Sequence, residues 1–158
     1  MRILKYLTQS CIIFPLECSS KEQVIKALAE KAASCLSDLS EEEIYRAIVD
    51  REELGSTAVG GGVAIPHAKV SGLEGISVVV AISRKGVPFD AMDSEPVHVI
   101  FMLLAPEDAT TGYLRVLAKL ARLLKDREFI EHLVHANDIS EILGIIERAE
   151  DKVHGVLV

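Results

Sequence analysis

His67 ends a segment whose composition favours chemistry at an imidazole. Three glycines, Gly60–Gly62, precede the small apolar residues Val63–Ile65 and then Pro66. Glycines adopt backbone angles closed to other residues and let a phosphate approach closely, while proline stiffens itself and the residue before it. We therefore expect His67 at the end of a short buried strand, where an imidazole can serve as nucleophile, base, metal ligand or structural donor.

Three familiar types of site fit the sequence poorly. A zinc site needs three or four converging ligands, whereas His132 and His135 stand three apart with neither an HExxH motif nor a cysteine pair. Ser56 lies outside a GxSxG motif, and the three glycines match neither GxxxxGK[ST] nor GxGxxG. We expect no metal, no cofactor and no serine hydrolase site, and we interpret the two histidines as exposed helix residues.

Phosphoryl transfer to His67 fits the segment better. The transition state spreads negative charge over the equatorial oxygens, so hydrogen-bond donors and a cation are needed nearby. Arg51 is the candidate cation, and it stands at the end of a predicted helix, where it can also complement the helix dipole. The candidate phosphoryl-binding donors are the hydroxyls of Ser56 and Thr57 and the amides of Gly61 and Gly62.

Charge, hydropathy and cysteine spacing limit the classes of partner. The net charge of −7 argues against nucleic acid, because phosphate contacts need clustered Lys and Arg. No run of about 18 apolar residues is present, so we expect no membrane insertion, and no signal-peptide cleavage site follows residues 1–16. The cysteines, Cys11, Cys18 and Cys35, are odd in number and widely spaced. We expect them to be reduced thiols in a cytoplasmic protein.

Apolar periodicity predicts a sheet with helices on both faces, in a single domain. A first strand is predicted at 11–14, and two apolar runs, Ile76–Ser83 and Val97–Ala105, are typical of central strands covered on both sides. Residues 68–75 and 84–96 are predicted loops. Capping residues predict where the first, third, fourth and fifth helices begin. These residues are, in order, Ser19 or Ser20, Thr110 or Thr111, Asp126, and Asp138 or Ser140.

The second predicted helix leads directly into the glycine segment. Ser40 followed by Glu43 is a capping box, and Gly55 ends the helix. We expect this helix to bury four apolar side chains, namely Ile44, Ala47, Ile48 and Leu54. Residues 38–53, which include this helix, are rich in acidic side chains and contain only two basic ones, Arg46 and Arg51. The acidic residues are Asp38, Glu41, Glu42, Glu43, Asp50, Glu52 and Glu53. This acidity is typical of a solvated helix face and can also steer a basic partner.

Three stretches carry a resemblance to a known family. Residues 51–69 (REELGSTAVGGGVAIPHAK), 88–97 (PFDAMDSEPV) and 101–106 (FMLLAP) closely resemble the enzyme IIA domains of the fructose/mannitol class of the bacterial phosphoenolpyruvate-dependent phosphotransferase system. The resemblance extends from about Leu4 to Ile146. The glycine-serine-threonine version of the motif and the length of the chain are most similar to the nitrogen-regulatory branch.

The resemblance implies a fold, a reaction and a partner. The fold it implies is a three-layer α/β/α sandwich around a mixed sheet, for which we set the domain at residues 1–150, with a loosely packed tail at 151–158. It implies that His67 accepts a phosphoryl group from a histidine phosphocarrier protein, with Arg51 as the cation. Relatives often have a second histidine where this chain has Tyr113, whose phenol can donate a hydrogen bond but is not positively charged at neutral pH.

Two functions remain open at this point. The chain can be a regulatory protein whose affinity for target proteins depends on phosphorylation of His67. Alternatively, it can pass the phosphoryl group to a IIB component for uptake of fructose- or mannitol-type sugars. Since the sequence shows neither a IIB domain nor a membrane domain, we expect the regulatory role.

Overall fold

The computed structural model describes residues 2–36 and 39–155. Within them, no helix is both long and apolar enough to cross a membrane. Short 3-10 helices lie at Ile3–Tyr6 and Gln9–Cys11. The strands are β1 (Ile12–Ile13), β2 (Val63–Ala64), β3 (His67–Lys69), β4 (Ser77–Val87) and β5 (Val97–Ala105), and the helices are α1 (Lys21–Cys35), α2 (Glu41–Glu53), α3 (Thr110–Leu123), α4 (Arg127–Val134) and α5 (Ile139–Gly155).

The five strands form one mixed sheet inside a three-layer α/β/α domain, as predicted. The order is β1-β4-β5-β2, and β3 pairs with β5 as well. Strands β4 and β5 are antiparallel, whereas β1 runs parallel to β4 and both β2 and β3 run parallel to β5. Two short strands therefore follow one another along the same edge of β5, and His67 stands opposite Leu103 in the second of them.

The centre of the sheet is aliphatic and fully covered. Val78–Ile82 of β4 and Val99–Leu104 of β5 have no exposed surface, which confirms the prediction of two central strands. At about 25 cal/mol per Å² of apolar surface buried, such strands are the main source of stability. The edge of β5 that positions His67 therefore belongs to the buried centre of the fold.

Side-chain caps set the starts of most helices. The hydroxyls of Ser20 and Ser40 accept from the backbone amides at the starts of α1 and α2, Asp126 does so for α4, and the Asp138 carboxylate accepts from an amide at the start of α5. These four predicted starts are confirmed. The prediction for α3 was wrong, because its N-cap is Ala109, which offers no side-chain acceptor.

Three local predictions around the sheet and α2 need correction. Residues 67–69 form strand β3, because the free edge of β5 pairs with them beyond the proline, and β4 extends to Val87 through a register shift. Leu54 is 83% exposed, not buried. The buried stripe of α2 recurs every four residues at Ile44, Ile48 and Glu52, and Leu54 is the C-cap that follows the last helical residue.

The prediction of three reduced thiols is also wrong in this structure. Cys11 and Cys35 form a disulfide across a Cα–Cα distance of 5.6 Å, and Cys18 is the free cysteine. Cys11 ends a 3-10 helix and Cys35 ends α1, and the two elements pack together. The two cysteines are 24 residues apart in the chain, and this spacing does not predict that they are neighbours. They become neighbours because the end of α1 packs against the 3-10 helix.

Helix α5 continues past the residue at which we expected a loose tail to begin. It runs to Gly155, and Glu150 is fully buried, with a carboxylate oxygen that accepts from the Leu4 amide at 3.2 Å. Residues 156–158 of the predicted tail lie outside the described residues. The domain boundary at residue 150 stays a prediction.

Candidate functional site

Arg51 and His67 meet where α2 faces strand β3. Arg51 lies in the last turn of α2, and its Nε donates to Nε2 of His67 at 3.3 Å. The guanidinium also donates to the carbonyl oxygen of Gly55 at 3.0 Å. The structure thus brings together the two residues predicted to carry the chemistry, 16 positions apart in the chain.

The hydrogen bonds of His67 determine which ring nitrogen is available. Nδ1 lies 2.7 Å from the carbonyl oxygen of Ile65. A carbonyl can only accept, so Nδ1 carries the proton and Nε2 bears the lone pair. Burial lowers the pKa of His67, the nearby charge of Arg51 lowers it further, and the Ile65 bond and the charge of Glu52 oppose this. The imidazole is therefore neutral at pH 7, with Nε2 available as a nucleophile.

The loop at residues 60–62 requires glycine because its backbone adopts positive φ angles. Gly60, Gly61 and Gly62 have φ angles of 119°, 72° and 78°, values that side chains rarely allow. The amide of Gly61 donates to Asp93 at 3.0 Å, and the carbonyl of Gly62 accepts from the amide of His98 at 2.8 Å. The Gly61 amide is thus engaged within the protein, whereas the bond of Gly62 uses its carbonyl and not its amide. The predicted role of both amides in binding a phosphoryl group stays a prediction.

The two hydroxyls next to Gly55 are engaged internally as well. Ser56 Oγ donates to the carbonyl oxygen of Phe89 at 2.7 Å and accepts from the amide of Ala58. Thr57 is only 6% exposed, and its hydroxyl donates to the Glu52 carboxylate at 2.5 Å. The structure places both residues in the wall of the site, and their direct contact with a phosphoryl group also stays a prediction.

Tyr113 lies close to His67. The centroids of the two rings are 6.0 Å apart, with an interplanar angle of 57°. Burial raises the pKa of Tyr113, although the charge of Arg51 opposes this, so the phenol keeps its proton at neutral pH. Lys69 Nζ lies 5.5 Å from the centroid of the Tyr113 ring and within 3.3 Å of Thr110 Oγ1.

Two features of the site were not predicted from the sequence: the position of Lys69 beside Tyr113 and the burial of Glu52. Lys69 stands two residues after His67, and alternate residues of a strand share a face, so this spacing could have revealed a second cation. Glu52 was grouped with the exposed acidic residues, although it is 8% exposed. It follows Ile44 and Ile48 at intervals of four, and this continuation of the buried stripe was the available signal.

Four exposed apolar side chains lie on segments that adjoin the site. They are Leu54, Val59, Met92 and Leu114, each more than half exposed. Leu54 follows the helix that bears Arg51, Leu114 follows Tyr113, and the Met92 amide bonds to the carbonyl of Ala58 beside Val59. Exposed apolar residues around a polar centre are typical of protein-docking surfaces.

Three further histidines have partners of their own or lie exposed elsewhere on the surface. Nδ1 of His98 lies 2.9 Å from the carbonyl oxygen of Ser83. His132 and His135 are exposed at the end of α4, and Nδ1 of His135 lies 2.8 Å from a backbone carbonyl of the same helix. Among residues 2–36 and 39–155, no group of three His, Cys, Asp or Glu side chains is placed to hold a metal ion.

Comparison with known proteins agrees with this fold. The family described as "Phosphoenolpyruvate-dependent sugar phosphotransferase system, EIIA 2" matches residues 5–149. A "Nitrogen regulatory protein" of Bradyrhizobium diazoefficiens is 38% identical, over 92% of this chain and 95% of that protein. A "PTS system fructose-specific EIIABC component" of Bacillus subtilis is 33% identical, over 94% of this chain and 23% of that longer protein.

A solved structure shows the same architecture. The nitrogen regulatory protein IIA-Ntr of Neisseria meningitidis superposes with a TM-score of 0.84 at 34% identity, covering 90% of this chain and 97% of that one. Both regulatory and sugar-specific proteins are thus among the relatives of this chain. The match over residues 5–149 and these identities establish that the chain belongs to the EIIA 2 family of the phosphoenolpyruvate-dependent sugar phosphotransferase system.

Proposed function

We propose that this protein accepts a phosphoryl group from a histidine phosphocarrier onto Nε2 of His67 and signals through its phosphorylation state. The observation that carries the proposal is the pair of bonds to the imidazole. The carbonyl of Ile65 holds the proton on Nδ1, and the opposite nitrogen, with its lone pair, faces the guanidinium of Arg51. A nucleophile and a cation are therefore preorganised at one point.

The transfer step follows from this geometry. The Nε2 lone pair of His67 forms a bond to phosphorus while the bond from phosphorus to the donor imidazole breaks. The electron pair of that bond stays on the donor nitrogen. The His67 ring loses electron density, and the hydrogen bond from Nδ1–H to the Ile65 carbonyl stabilises the positive charge that results.

Arg51 has a separate role in the proposed step. Its Nε must leave Nε2 as the new bond forms, and the guanidinium can then donate to two equatorial oxygens. The phenol of Tyr113, whose ring centroid lies 6.0 Å from that of His67, can supply a third donor. In the free protein, the internal bonds of Ser56, Thr57 and Gly61 hold the loop in shape, and the direct contact of these residues and Gly62 with the phosphoryl group stays a prediction.

Among possible destinations of the phosphoryl group, we favour regulation. Four relatives of 34–38% identity, each matching more than 90% of this chain, are named nitrogen regulatory proteins. On this proposal the partners are the phosphocarrier and target proteins in the cytoplasm. The second candidate, donation to a IIB component, is supported by the fructose-specific EIIABC relative, whose name joins A, B and C parts in one component.

Intact mass spectrometry tests acceptance directly. The protein is incubated with phosphoenolpyruvate, the first enzyme of the system and the phosphocarrier, and we expect the mass of one phosphoryl group to be added. His67→Ala should take up none, whereas His132→Ala, which changes an exposed histidine of α4, should match the parent. The added mass should disappear in acid, as expected of a phosphoramidate. Label retained by His67→Ala, or label stable to acid, overturns the proposal.

A further inference from the structure

We propose that Glu52 is a positioning residue for this site: its buried carboxylate fastens the glycine loop to the last turn of α2 and so holds His67 and Arg51 in register. The inference rests on the proposed function, because it concerns the same two residues. It assigns a role to a side chain whose neighbours in the acidic segment, Asp50 and Glu53, are exposed.

Both oxygens of the Glu52 carboxylate have donors. Oε1 accepts from the amide of Thr57 at 3.1 Å and pairs with Lys21 Nζ at 2.9 Å. Oε2 accepts from the hydroxyl of Thr57 at 2.5 Å. A buried charge is costly unless it is paired and hydrogen-bonded. These three contacts offset that cost and fix Thr57, a loop residue, against the helix.

A short chain of hydrogen bonds leads from Thr57 to the imidazole. The carbonyl of Thr57 accepts from the amide of Ile65 at 3.2 Å, and the carbonyl of Ile65 accepts from Nδ1 of His67 at 2.7 Å. The carboxylate thus sits at one end of a relay that orients the ring. At the other end, Nε2 meets Arg51, the immediate chain neighbour of Glu52. One carboxylate therefore constrains both sides of the Arg51–His67 contact.

Lys21 anchors this relay to a third element. It is the first residue of α1, its side chain is 19% exposed, and Nζ lies 4.8 Å from the centroid of the Phe89 ring. The carbonyl of Phe89 in turn accepts from Ser56 Oγ. Lys21 and Glu52 therefore connect the start of α1, the end of α2 and the loop residues Ser56 and Thr57. We infer that these connections keep the loop from shifting relative to His67.

Glu52 also acts on His67 through its charge. The charged and titratable groups near the imidazole are Arg51 and Glu52 on α2, Lys69 on β3 and Tyr113 on α3. The negative charge of Glu52 raises the pKa of His67, against the effects of burial and Arg51. The carboxylate therefore affects the imidazole through its charge as well as through the hydrogen bonds of Thr57 and Ile65. The pKa of His67 is therefore a second observable besides the rate.

Glu52→Gln is the main test, because it keeps the shape and removes the charge. The terminal amide cannot accept from Thr57 with both of its atoms. We expect phosphoryl uptake to slow by roughly 10- to 100-fold, as for a small displacement of reacting groups. The KM for the phosphocarrier should stay the same, because the residue is buried. The pKa of His67, followed by NMR of the ring, should fall below that of the parent.

Two further variants complete the experiment. Thr57→Val keeps the Glu52 charge but removes one hydrogen bond, so it should slow uptake while changing the pKa of His67 less. It also carries the test if Glu52→Gln does not fold. Glu22→Gln is the matched control, since it removes the same charge from an exposed position beside Lys21 and should match the parent in both measurements.

The outcomes separate this inference from the proposed function. If Glu52→Gln and Thr57→Val are phosphorylated at the parent rate, the positioning role is overturned, even if the pKa of His67 changes, because loss of the charge alone can change that pKa. If the parent itself takes up no phosphoryl group, the proposed function fails. In that case a lowered His67 pKa in Glu52→Gln, with Glu22→Gln unchanged, still supports the placement of Glu52.

Discussion

Nε of Arg51 lies 3.3 Å from Nε2 of His67, so the cation already occupies the position that a phosphoryl group takes in the proposed reaction. An arginine at the end of a helix often only complements the helix dipole. Here the guanidinium turns inward to the imidazole and to the carbonyl of Gly55. This contact makes the role of Arg51 directly testable.

Replacement of Arg51 should slow phosphoryl uptake. We expect Arg51→Ala to lower the rate constant by about 100- to 1,000-fold, the usual cost of losing one strong donor to transition-state charge. Arg51→Lys should recover only part of this, because lysine keeps the charge without the planar fork. Rapid-quench measurement of phosphorylated protein gives the rates, and circular dichroism checks the fold. A near-normal rate in Arg51→Ala would return the residue to the role of a dipole cap.

The pH dependence of uptake should follow the neutral form of His67. Its pKa lies below the ordinary 6.5, with burial as the main cause, so the lone pair of Nε2 persists at that pH. We expect the rate constant to rise to a plateau as the ring loses its proton, with its half-maximum below pH 6.5. The same shift also links the stability of the fold to pH. Because the pKa of His67 is lower in the folded state than in the unfolded state, the neutral ring stabilises the fold above the unfolded pKa, and this stabilisation is lost as pH falls through the folded pKa. A rate that already halves at pH 6.5 contradicts this prediction.

Tyr113 should affect the phosphorylated state more than the free protein. Its ring lies 6.0 Å from that of His67, and burial raises its pKa, which keeps the phenol a donor. Tyr113→Phe should therefore shorten the lifetime of phospho-His67 or slow transfer. Tyr113→His should increase donation to a IIB protein, because it introduces the imidazole that the family resemblance implies at this position. If both variants behave like the parent, measured by decay of the added mass, the tyrosine is structural.

The acidic surface of α2 should steer a basic partner. We define this surface as Glu41, Glu42, Glu43, Asp50 and Glu53, all exposed; Glu52 is excluded because it is buried, and Asp38 lies outside the described residues. Association with the phosphocarrier, measured by stopped-flow, should slow as salt rises.

A matched pair of double variants sharpens this prediction. Asp50→Asn with Glu53→Gln should reduce the dependence on salt. Glu30→Gln with Glu147→Gln, which removes the same charge from exposed positions on α1 and α5, should leave it unchanged. A salt-independent rate for the parent would identify the acidic residues as an ordinary solvated face.

The disulfide gives a prediction about thiol chemistry. Cys11 is 2% exposed and is paired with Cys35, while Cys18 is free and half-buried, and burial raises its thiol pKa. Alkylation of the oxidised protein under denaturing conditions should modify Cys18 alone, and prior reduction should expose all three thiols. Modification of all three without reduction would restore the interpretation drawn from the sequence, that the cysteines are unpaired.

Local chemistry in the sequence determined much of this fold. Ser20, Ser40, Asp126 and Asp138 begin helices because a side-chain oxygen can satisfy an amide that the helix leaves free. The apolar runs of β4 and β5 predict central strands because only a sheet covered on both faces can bury them. These signals act over a few residues and need no knowledge of distant neighbours. The motif around His67 likewise identified Arg51 and His67 before their contact was seen.

Tertiary structure alone decided the rest. Strand β3 forms because the edge of β5 offers free backbone groups to the residues after Pro66, and Cys35 reaches Cys11 because α1 returns to the 3-10 helix. The burial of Glu52 depends on Lys21 from another helix and Thr57 from a loop. Each of these results comes from groups that are distant in the chain and become neighbours only when the sheet and helices pack, so no local pattern could fix them.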